Sequence, residues 1–72
     1  MDYEKTGRLI LSLRQERRLT QKQLAEALDV SDKTVSKWER GLGCPDVSLL
    51  PRLAAELGVS IDRMLGGDLR PQ

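Results

Sequence analysis

At 72 residues, with 32% charged side chains, 3% aromatics and a formal net charge of +1, the chain fits one small domain with an aliphatic core and leaves no room for two. A sole cysteine, Cys44, and no histidine exclude an internal disulfide and the usual zinc ligand sets; they also remove the commonest general base and nucleophile pairings, so no enzyme, cofactor or metal site is expected. Apolar runs such as Leu9-Ile10-Leu11 fall far below the roughly 20 residues of a membrane span, and Met1-Asp2-Tyr3-Glu4 is not a secretory start, so a soluble, cytoplasmic setting is expected.

Five short helices are predicted from the punctuation. Asp2 caps a first helix running to about Arg17, with Gly7, Ile10, Leu13 and Arg14 on one face and Leu9 beside it. Thr20 and Gln23 form a capping box for the second, with Leu19 and Leu24 at the staple positions. The third starts at a new cap, Ser31, with Val30 and Val35 as its staple, and runs to about Arg40, where Gly41 stops it. Leu42 to Val47 reads as a loop. Ser48 as a cap places Pro51 in the first turn of the fourth helix, where its missing N–H costs nothing, and Gly58 ends that helix. Ser60, with Val59 and Met64, opens a fifth that stops at Gly66. The expected organisation is an all-α, compact five-helix bundle over residues 1–65 with a flexible tail over 66–72, and no strand period occurs.

The small net charge conceals a local excess. Between Lys5 and Arg40 nine basic residues face five acidic ones, and the segments on either side are acidic. Locality matters more than the total for recognising an anionic partner. The second and third helices meet across a very short turn at Asp29, a residue type that tolerates positive φ, and Ala25 permits their close approach among Leu24, Leu28, Val30, Val35 and Trp38. On a wheel of 100° per residue, Val35, Trp38 and Glu39 turn inward, whereas Lys33, Ser36, Lys37 and Arg40 turn outward with Asp32 at the edge. Such a face suits the DNA major groove, since Lys and Arg donate to guanine O6 and N7 or to phosphate. With neither Asn nor Gln on the third helix, bidentate adenine contacts from it are ruled out, and guanine-biased contacts from Lys33 and Lys37 are expected.

Thr20-Gln21-Lys22-Gln23-Leu24-Ala25 through Val30-Ser31, then Thr34-Val35-Ser36-Lys37-Trp38-Glu39-Arg40-Gly41, resembles the Cro/cI-type (XRE, lambda repressor-like) family of helix-turn-helix DNA-binding domains. Arg14, Pro45, Leu53-Ala54 and Leu57-Gly58-Val59-Ser60 extend the likeness to about Tyr3–Leu65. The resemblance implies a third helix, residues 31–40, lying in the major groove of double-stranded DNA, and a homodimer on an inverted-repeat operator. It implies base-facing roles for Asp32, Lys33, Ser36 and Lys37, phosphate-facing roles for Gln21, Thr34 and Arg40, and a structural ion pair between Arg14 and Glu39. Asp29 stands where the family often has glycine, and the Asp32 carboxylate repels a phosphate backbone, although it can accept from cytosine N4 or favour the helix start.

The expected function is a sequence-specific transcriptional regulator, more often a repressor in this family. The alternatives are the antitoxin of a toxin-antitoxin pair and a protein-interaction module that has lost DNA binding, each with a protein partner; Lys33, Lys37 and Arg40 speak against the second. Ile61, Met64, Leu65 and Leu69 either form an edge for self-association or, for most of them, close the core.

Overall fold

The chain's hydrogen-bonding side chains stand where helices must begin, and they define the elements of the computed structural model, which describes residues 2–66. Asp2 accepts from the Lys5 N–H and opens α1, Tyr3–Glu16. Thr20 and Gln23 make both bonds of the capping box and open α2, Gln21–Leu28. Ser31 accepts from Thr34 N–H and opens α3, Asp32–Glu39. Each cap satisfies N–H groups that a helix start leaves without partners.

The fourth start differs from the expectation. Asp46, not Ser48, is the capping side chain: its carboxylate accepts from the Ser48 N–H and the Ser48 hydroxyl, and it opens a single 3₁₀ turn, Val47–Leu49. That turn leads into α4, Leu50–Leu57, with Pro51 in its first turn. Ser60 then accepts from the Arg63 N–H at the head of α5, Ile61–Gly66. The expected tail falls mostly on residues 67–72, outside the described residues.

The first four helices end alike. In each, the N–H of one residue returns to a carbonyl five positions back: Leu19 to Arg14, Val30 to Ala25, Leu42 to Lys37 and Val59 to Ala54, at 2.9–3.0 Å. The residue before each donor is left-handed, with φ of 57° at Arg18, 60° at Asp29, 75° at Gly41 and 72° at Gly58. This geometry satisfies carbonyls that the helix leaves open.

α1 lies against α3 on one side and against α4 and α5 on another, so its apolar stripe is broad and Leu9 is as fully buried as Ile10. Leu9, Ile10, Leu13, Leu24, Ala25, Leu28, Val35, Trp38, Leu50, Leu53, Ala54, Leu57 and Met64 form one core. At Gly7 the α1 backbone comes so near α3 that an added Cβ would lie within 3.0 Å of the Trp38 carbonyl oxygen. No neighbour on the backbone can yield easily to a methyl there. Arg52 ties α4 to α2 by donating to the Ala27 carbonyl at 2.7 Å. A cation at that helix end also complements its dipole.

Candidate nucleic-acid interface

α3 divides sharply between its two sides. Val35 and Trp38 are buried, whereas Asp32, Lys33, Lys37 and Arg40 are exposed, with Thr34 and Ser36 half-buried between. Lys33, Lys37 and Arg40 follow one another at four- and three-residue intervals and make a single row of cations along the helix. The Arg40 Nε donates back to the Ser36 carbonyl at 3.3 Å, laying the guanidinium along α3. The Ser31 and Thr34 hydroxyls are 2.8 Å apart, so Thr34 is held at the helix start by the capping side chain. Asp32 is the acidic residue of the first turn, where the helix dipole favours a carboxylate, while Ser31 does the capping.

A polar network behind this face sets where α3 lies. The Arg14 Nε donates to Glu39 Oε2 at 2.6 Å and its Nη2 to Oε1 at 3.1 Å, a two-pronged ion pair with side chains 12% and 4% exposed. The third guanidinium nitrogen, Nη1, donates to the Leu19 carbonyl at 2.8 Å, just before α2 begins. Gln21 Nε2 donates to Glu39 Oε1 at 2.9 Å. One carboxylate therefore joins α1, α2 and α3, and Arg14 adds the turn between the first two. Paired, a carboxylate this enclosed is tolerable; alone it would not be.

The sequence readings meet this geometry unevenly. The structure brings Arg14 and Glu39 together, and it sets Asp32, Lys33, Ser36 and Lys37 along one side of α3. Gln21 is half-buried with one amide N–H committed to Glu39, a link that sequence reasoning missed. No local pattern announces a contact between residues 18 apart. Of the residues considered for a self-association edge, Met64 belongs to the core, Ile61 and Leu65 are 40% and 45% exposed, and Leu69 lies outside the described residues.

α2 and α3, joined by the left-handed Asp29 and packed through buried Ala25, form a helix-turn-helix with one cationic side free. A helix-turn-helix family matches residues 10–64. The chain is 45% identical over 56 residues to the HTH-type transcriptional activator BcrR of Enterococcus faecalis, covering 78% of this chain and 28% of that protein. The DNA-binding domain of the P22 C2 repressor superposes with a TM-score of 0.84 at 30% identity, covering all of this chain and 95% of that one. Hydroxypropylphosphonic acid epoxidase from S. wedmorenis also superposes, with a TM-score of 0.79 at 28% identity, over 88% of this chain but 34% of the enzyme. The chain belongs to the helix-turn-helix family of the Cro/cI (XRE) type, with the all-α lambda repressor-like fold. It spans between 28% and 49% of the lengths of the curated relatives it matches.

Proposed function

We propose that the chain is a sequence-specific DNA-binding transcriptional regulator that reads the major groove with α3. The row of Lys33, Lys37 and Arg40 on the free side of a helix-turn-helix is the observation that carries this reading. Lys33 and Lys37, with Ser36 between them and Asp32 at the helix start, are the proposed base-facing residues; the two lysines favour guanine O6 and N7, and Asp32 can accept from cytosine N4. Arg40 and Thr34 are the proposed phosphate contacts. Gln21 joins them through its backbone N–H, one of those a helix start leaves open to an anion.

A single reading helix covers few base pairs, so specificity calls for two copies on an inverted repeat, with their helices roughly 34 Å apart. The exposed Ile61 and Leu65 on α5 supply apolar surface for such a homodimer. Repression by occupying the operator asks nothing of the domain beyond binding, and the likeness to the P22 C2 repressor domain supports it. The proposed setting is the cytoplasm, where Cys44 stays a free thiol. No catalytic role is proposed.

Selection of bound duplexes from a random pool tests this reading. The expected result is an inverted repeat with G·C pairs in each half-site, bound with steep salt dependence and lost by the Lys33→Ala/Lys37→Ala variant. A chain that enriches no sequence, or a variant that selects the same site as strongly, overturns it.

A further inference from the structure

We propose that Gln21 is a positioning residue: its side chain governs DNA binding by holding Glu39, and through it the reading helix α3, rather than by touching the nucleic acid. This rests on the DNA-binding reading above. α2 and α3 are joined covalently at one end only, through Asp29–Ser31. Gln21 is the first residue of α2 and Glu39 the last of α3, so both stand at the opposite, open end of the pair. The 2.9 Å bond from Gln21 Nε2 to Glu39 Oε1 closes that end. The same oxygen receives Arg14 Nη2 at 3.1 Å, and the other receives Arg14 Nε at 2.6 Å. The guanidinium thus fixes the carboxylate with respect to α1, and the carboxamide fixes it with respect to α2. Pinned at both ends, the pair keeps the start of α2 in register with Lys33 and Lys37 on α3. Hydrogen bonds to an enclosed charge are among the stronger ones, and a reading helix misaligned by a small angle loses several base contacts together.

The free chain and its DNA complex test this separately. In the free chain, Gln21→Glu sets a second carboxylate against Glu39. Its urea midpoint at neutral pH should fall below that of the wild type, and the gap should close as the pH drops through the carboxylate range and one of the two takes up a proton. A side chain aimed at phosphate leaves the new carboxylate in the first turn of α2, where the helix dipole favours it, so the neutral-pH midpoint would equal or exceed the wild type's, and that result overturns the proposal. On the selected duplex, with every variant checked as folded by circular dichroism, Gln21→Ala should weaken binding about tenfold in the wild-type background and hardly at all in Glu39→Gln. An equal loss in both backgrounds means direct contact and overturns the proposed role while leaving the regulator reading intact. If the wild type selects no duplex, both readings fall, whatever the free chain shows of the Gln21–Glu39 bond. Should Glu39→Gln not fold, the Gln21→Glu pH series decides alone.

Discussion

Glu39 and Arg14 hold each other in a place where neither would be tolerated alone. The Glu39 side chain is 4% exposed and takes donors from α1 and α2, so truncating it leaves the Arg14 guanidinium with the Leu19 carbonyl as its one hydrogen-bond partner among the described residues. Breaking a buried pair from one side costs about 3–5 kcal/mol, far more than the pair contributes relative to an apolar replacement. Glu39→Ala is therefore expected to lower the urea midpoint by an amount of that order; a midpoint equal to the wild type's would show that the network does not hold the fold. Gly7 acts on the same interface without any charge, since its lack of a side chain lets α1 settle on the last carbonyls of α3. The ion pair and the close approach fix one helix pair by different means.

Among the elements, helix starts were far more legible than helix ends. Thr20 with Gln23, Ser31 and Ser60 stand out in the sequence because a hydroxyl cap and its target N–H are three residues apart. Ser48 misled because Asp46, two residues earlier, makes the equivalent bond within a tighter turn. The left-handed residue at Asp29 could be anticipated from its side chain, whereas Arg18 gives no such signal: arginine is not a turn former, and φ there is imposed by where α1 must stop and α2 begin. The outward row of α3 was legible from helical phase, but the Gln21–Glu39 bond depends on how α2 and α3 cross and has no local signature. Arg18 carries a cost that glycine would not, since the left-handed region disfavours any residue with a Cβ by about 1–2 kcal/mol. Arg18→Gly should raise stability by roughly 0.5–1 kcal/mol after the added freedom of the unfolded chain is counted, measurable as a higher urea midpoint at unchanged slope. A fall would mean that the Arg18 side chain makes compensating contacts.

For the whole molecule, the surface caps contribute to the response to acid. Backbone hydrogen bonding to Lys5 lowers the Asp2 carboxyl below its ordinary value of 3.8, and the Ser48 hydroxyl and N–H do the same for Asp46. A carboxyl lowered in the folded state stabilises it fully above the unfolded value and loses that contribution as the pH falls through the lowered one. The urea midpoint is thus expected to drop below about pH 4, and Asp46→Asn should flatten part of that drop; an identical profile in the variant would remove Asp46 from the account. The sole tryptophan, Trp38, lies on the core side of α3 and is 5% exposed, one helix face away from Lys33 and Lys37. The helix proposed to read DNA thus carries a built-in optical reporter. Its emission is expected to shift when α3 leaves the core and to stay unchanged when a duplex docks on the far side without moving the helix.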